Sequence, residues 1–247
     1  MNEIWIVLLL ALLPGAGNFA GGLLAEFWKS SPRLLNWALH SASGIVVAIA
    51  AVELIPEATR TLPALWFAGA FAAGGAAYLL LQGLIERLQT RSGGDNDRVS
   101  MWMVYVAVAT DLASDGLMIG TGAAISAKFA LVLAAGQLLA DIPEGYATIA
   151  NLRKRAVPRP RRLLLSVSFL AYVLVAAATA YLVLRPAPEA LKSGALVFVA
   201  SLLIVAAVED MLEEAHRARK DTRSSIAAFV SGFVLFTLVS SGLKAAI

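Results

Sequence analysis

The stretch Leu138–Asn151, LLADIPEGYATIAN, decides how the rest of the chain is read. It belongs to a long apolar run, yet it carries Asp141 and Glu144 on either side of Pro143. Three residues apart on a helix, the two acids share one face. The preceding apolar run holds a second pair, Asp111 and Asp115, four apart and again on one face. No Lys or Arg lies at the depth of these acids. At about 2.5–3.5 kcal/mol each, four ionised carboxylates at the centre of membrane helices would cost roughly 10–14 kcal/mol. Protonation, a water-filled cavity or a bound cation would relieve that cost. All three require acids that face inward and have a function.

The neighbours of the acids extend the pattern. Gln137, Asp141, Glu144 and Thr148 recur at spacings of three and four, and Ser114 and Met118 flank Asp115 on its side. A seam that only glues helices together usually employs Ser, Thr, Asn or Gln, so four acids in a stripe suit a pathway better. Met118 offers either a soft sulfur ligand or ordinary packing. Pro143 removes one backbone hydrogen bond and frees the carbonyl of Leu139, which an ion or a water could take. Gly116 and Gly145 directly follow Asp115 and Glu144, and are expected to let the two helices approach so that the carboxylates share an ion.

The remainder of the 247 residues has the composition of an all-α membrane protein. Hydrophobic residues make up 59% and charged residues only 15%, where soluble domains carry about a quarter. Apolar blocks near twenty residues long predict eight spans, at roughly 4–27, 37–56, 64–86, 100–124, 129–151, 163–184, 191–212 and 224–246. The first begins MNE, with an acid where a signal peptide has Lys or Arg, so it reads as a retained helix. The absence of cysteine excludes disulfides and thiolate metal sites, and two histidines leave oxygen as the main ligand type.

Charge sets the predicted topology. Fifteen of the twenty basic residues fall in the odd-numbered connections, from Lys29 and Arg33 to Arg217, Arg219, Lys220 and Arg223. The positive-inside rule then places those connections in the cytoplasm and both termini outside, for a multi-pass protein of the cell (inner or plasma) membrane. The basic stretch NLRKRAVPRPRR (151–162) reads as a topology signal in contact with anionic lipid, not as a nucleic-acid site, and its prolines argue against helix there. A faint internal repeat links ELIPEATR (53–60) to DMLEEAHR (210–217), and DLASDG (111–116) to DIPEG (141–145). Matching segments in spans of opposite direction predict an inverted repeat, with the site between the halves.

With these residues in view, the whole chain resembles the ZIP (zinc/iron permease) family of divalent-metal transporters. DIPEG is similar to that family's span-five pattern of a polar ligand, a proline, Glu and Gly, while DLASDG stands where span four carries His-Asn-x-x-Glu-Gly. SGIVVAIAAVELIPEA and SGALVFVASLLIVAAVEDMLEEAHR also look familial. The resemblance implies metal ligation by Asp111, in place of a histidine, and by Asp115, Asp141 and Glu144. It also implies inward transport with an elevator-like sliding step. Leu112, Ala140 and an acid-free sixth span depart from the family pattern and favour one metal over two. The connection QTRSGGDNDR (89–98) lacks the histidines common there, which argues against metal sensing by that loop.

An all-oxygen ligand set suits harder cations and favours a broad or manganese/iron-type preference among Zn, Fe, Mn, Co and Cd as substrates. Glu53 and Glu57 could attract cations at the external mouth, and Asp210, Glu213 and Glu214 at the internal one. A solvated helix end explains them as well. His40 and His216, both towards the cytoplasmic side, read as exit ligands or as interfacial histidines. Asn18, in PGAGNFAGG, marks a loosened first span without an assigned role. A metal-binding membrane sensor and an intramembrane metal-dependent hydrolase are the alternatives; the hydrolase lacks histidines at the depth of the acids. The sequence leaves the oligomeric state open, a homodimer included.

Overall fold

The computed structural model describes residues 3–28, 31–91 and 97–246, with side chains except over 88–91 and 97–103. Lys29 and the charges of the 89–98 connection therefore lie outside the described side chains. Every described element is helical. Eight rods follow one another: α1 (Glu3–Phe27), α2 (Pro32–Thr59), α3 (Ala64–Arg91), α4 (Asp97–Ile125), α5 (Ala127–Lys154), α6 (Arg159–Leu184), α7 (Glu189–Ala218) and α8 (Arg223–Ala246). Among the described residues six of them are long and apolar enough to cross a membrane; α4 and α5, which carry the acid pairs, are not among the six. At 29 and 28 residues these two are as long as the others. Large apolar side chains such as Leu65, Trp66 and Leu80 on α3 and Leu164 and Val175 on α6 stand exposed. This is the surface of a helical membrane protein, whose outer faces meet lipid tails rather than water.

Local chemistry explains the helix ends. Ser31 caps α2 by accepting from the Leu34 N–H at 3.1 Å, with Pro32 at the first helical position, so this helix begins earlier than the predicted 37. Ser126 caps α5 in the same way through the Phe129 N–H (3.1 Å) and is the single residue between α4 and α5. The prolines of the basic connection do not exclude helix as expected. Only 155–158 is non-helical, because Pro160 sits in the first turn of α6, where no N–H is needed. Ala156, at φ 55°, closes α5 as Val157 N–H reaches the Leu152 carbonyl and Ala156 N–H that of Arg153. Pro143 leaves α5 helical throughout.

Packing divides the rods into two groups. Extensive contacts join α1 with α5, α4 with α6, α2 with both α7 and α8, and α3 with α7. α1, α4, α5 and α6 thus form one group, and α2, α3, α7 and α8 the other. Both α2 and α7 contain a π-helical segment, Ile49–Leu54 and Ala207–Met211, each overlapping the start of the repeated acidic motif. A π turn widens the backbone locally and occurs most often at functional sites. The correspondence continues into the partner helices. Gly232 of α8 lies against the carbonyl of Ser41, and Gly74 of α3 against that of Phe198. Ser41 and Phe198 are separated by the same interval as Glu53 and Asp210.

Candidate metal centre

Two tiers of acids meet where α4 and α5 pass each other. In the deeper tier Asp115 and Asp141 have no solvent exposure, nor has Gln137, which donates from Nε2 to Asp115 Oδ1. In the tier above, Asp111 and Glu144 face one cavity together. Six oxygens here are buried without a partner: Asp111 Oδ2, Asp115 Oδ2, both of Asp141, Glu144 Oε2 and Gln137 Oε1. Buried acceptors are normally satisfied, and each exception needs a physical explanation. A cation fits this donor set, because every unfilled position is an oxygen lone pair.

The upper tier opens to one end of the bundle. A cavity of about 250 Å³ is lined by Asp111 and Glu144 at its floor, then by Thr148, Asn151, Asp210, Glu213 and Glu214, with Arg217 paired to Glu213 at its edge. The helix ends around it belong to the face of the odd-numbered connections. Beyond the deeper tier, one turn towards the opposite end, Met118, Ile119 and Leu133 are fully buried in the apolar core. Access is therefore one-sided. Met118 packs in that core.

The remaining expected residues divide clearly. Thr148 donates to the Glu144 carbonyl (3.0 Å) and Ser114 to that of Thr110 (3.1 Å), so both lie on the path with their hydroxyl protons engaged. Asp210 is open to the cavity, and Glu214 accepts from Asn151 at 3.0 Å. Glu53 and Glu57 are not free cation attractors. Glu53 is buried and bound by Ser240 Oγ at 2.5 Å and Lys244 Nζ at 2.7 Å, while Glu57 pairs with Arg60 at 2.9 Å. The expectation for the two glycines is also corrected. A Cβ on Gly116 would strike the carbonyl of Val173 in α6, and one on Gly145 the carbonyl of Asn18 in α1. These glycines bring α4 and α5 against their outer neighbours, not against each other. Asn18, buried with its Nδ2 unpartnered, therefore lies on the α1–α5 seam beside Gly145.

His40 and His216 do converge, and on a residue the sequence did not single out. Asp221 Oδ2 lies 3.2 Å from His40 Nε2 and 2.8 Å from His216 Nε2. Burial disfavours the charged form of Asp221, but hydrogen bonds from Asn36 and His216, together with His40, outweigh it and hold the carboxyl below its ordinary range. Neither Asn36 nor Asp221 has a periodic signal: one lies in a helix start, the other in the polar stretch RARKDTRSS.

No protein-family model matches the chain, and no curated protein matches it.

Proposed function

We propose that the protein is a divalent-metal transporter of the ZIP kind, with eight membrane spans in an inverted repeat and both termini outside. The observation that carries this reading is the set of six buried, partnerless oxygens at the floor of a one-sided, acid-lined cavity. A sealed structural seam would need no such opening. The positive-inside rule assigns the open side to the cytoplasm and the basic 151–162 connection to anionic lipid, in a cell membrane.

The chemistry runs as follows. A hydrated cation meets Asp115, Asp141, Asp111 and Glu144, whose oxygens replace most of its water. Four carboxylates at this range cannot all be charged without a counter-charge, so the protons present before binding leave as the cation enters. An oxygen donor set favours harder divalent ions, manganese or iron above zinc. Access then changes sides by sliding of the acid-bearing group α1, α4, α5 and α6 against α2, α3, α7 and α8. The division of the packing into these two groups supports such a movement, as does exchange of the pairs α1–α5 with α4–α6 and α2–α8 with α3–α7 when α1, α2, α3 and α4 are matched to α6, α7, α8 and α5.

The test is flux into liposomes carrying the purified protein, with Mn²⁺, Fe²⁺, Co²⁺, Zn²⁺ and Cd²⁺ side by side. Saturable uptake is expected, strongest for Mn²⁺ or Fe²⁺, and falling to background in Asp141→Asn/Glu144→Gln. Binding without flux for any of the five would replace transport by sensing.

A further inference from the structure

We propose that His40, His216 and Asp221 form a second divalent-metal site, selective for imidazole-preferring ions such as Zn²⁺ or Co²⁺, which ties the start of α2 to the turn between α7 and α8. This site shares no residue with the carboxylate centre and does not depend on the transport reading. It uses the only two histidines in the chain, which lie far apart in sequence.

The ligand atoms already stand close to coordinating positions. One atom from each of the three residues lies within 4.8 Å of the other two. Ligands about 2.0–2.1 Å from a tetrahedral ion are about 3.4 Å apart, so side-chain rotation alone closes the gap. The surroundings orient each ligand. His40 Nδ1 lies 2.8 Å from the Asn36 carbonyl, which can only accept, so Nδ1 carries a proton and Nε2, when it carries none, presents its lone pair. That lone pair faces Asp221 Oδ2, another acceptor, at 3.2 Å. The contact is unfavourable unless a second proton or a cation lies between them. A histidine that donates its other N–H to a carbonyl is the usual arrangement of a metal ligand.

Asp221 is held just as firmly. Asn36 Nδ2 donates to Asp221 Oδ1 at 3.0 Å, and the same amide nitrogen reaches the Ala215 and Arg219 carbonyls at the end of α7. Asn36 Oδ1 in turn accepts from Ser225 Oγ of α8 at 2.6 Å. One buried asparagine therefore fixes α2, the α7 end, the turn and α8 around the carboxylate. His40 is buried, whereas His216 is exposed, which leaves an approach for an ion and a position for water as a fourth ligand. Two nitrogens and one oxygen favour Zn²⁺, Co²⁺ or Cu²⁺ over the harder ions suited to the central carboxylates.

The experiment is a Co²⁺ titration of the full-length protein in detergent, read by visible absorption and by counting bound metal. The Asp141→Asn/Glu144→Gln variant is expected to retain one Co²⁺ with a nitrogen-containing tetrahedral spectrum. Adding His216→Asn, which keeps a donor for Asp221 at an exposed position, should remove that spectrum and weaken binding at least tenfold, since outer-shell partners alone are worth about 10–100-fold. Copper supplies an independent readout: Cu²⁺ bound to the first variant should show electron-spin coupling to two nitrogens, reduced or lost with His216→Asn. An unchanged spectrum and stoichiometry with His216→Asn would overturn the site and leave the histidines as a hydrogen-bonded tie. Absence of bound Co²⁺ from a folded Asp141→Asn/Glu144→Gln protein would overturn it as well, whatever the flux assays give.

Discussion

Glu53 and Asp210 occupy the same place in the repeated motif, yet their surroundings are opposite. Glu53, in the π segment of α2, is buried and bound by Ser240 and Lys244 of α8. Asp210, in the π segment of α7, is open to the acid-lined cavity. The packed glycines show why. Ser240 and Lys244 follow Gly232 by two and three turns of α8; the residues that follow Gly74 of α3 at those distances are Gln82 and Glu86. Where one end of the bundle supplies a hydroxyl and a cation, the other supplies an amide and another acid. The first end is closed by charge pairing. The second has the field that a cation would enter.

Breaking the closed end gives the larger expected effect on stability. Removing one partner of a fully buried ion pair costs about 3–5 kcal/mol. Lys244 is half exposed and water reaches it, so Lys244→Met/Ser240→Ala should cost about 2 kcal/mol, less than a fully buried pair. Thermal unfolding in detergent measures this, and a further Glu53→Gln change should recover much of the loss. An unchanged midpoint would mean that Glu53 does not depend on α8.

Placing a further cation at the open end, beside Arg217, which pairs with Glu213, sharpens the comparison with a smaller effect. Glu86 lines an adjoining cavity that also reaches Asp111 and Asp210, so Glu86→Lys should weaken Mn²⁺ binding at the central acids by about 1 kcal/mol, roughly fivefold in Kd. The loss should shrink as salt is raised, because the charges interact through solvent. Calorimetric titration at two ionic strengths reads both. A salt-independent loss would point to a structural change instead of a field effect.

How much of this was legible depended on the range of the interaction. The stripe Gln137, Asp141, Glu144 and Thr148 and the pair Asp111 and Asp115 follow from helical periodicity, and the structure gathers them in one site. The helices themselves were legible from apolar length, although Ser31 and Pro32 start α2 before its apolar core. Partners across the bundle were not legible. Nothing near Glu53 in sequence announces Lys244, and nothing beside Gly116 or Gly145 tells which neighbouring carbonyl each one meets. The His40, His216 and Asp221 cluster was half visible, as two histidines with no common ligand. Asp221 lies among basic residues in a turn, where no period marks it.

The most direct test of the central claim is X-ray absorption of Mn²⁺ bound to the protein, in a His216→Asn background that disables the peripheral histidine pair. The account predicts a shell of oxygen ligands with carboxylate carbons behind it, lost together with the bound metal in Asp141→Asn/Glu144→Gln. Mn²⁺ that stays bound in that variant with an unchanged shell would contradict it, because the ion would then be held somewhere other than the buried acids of α4 and α5.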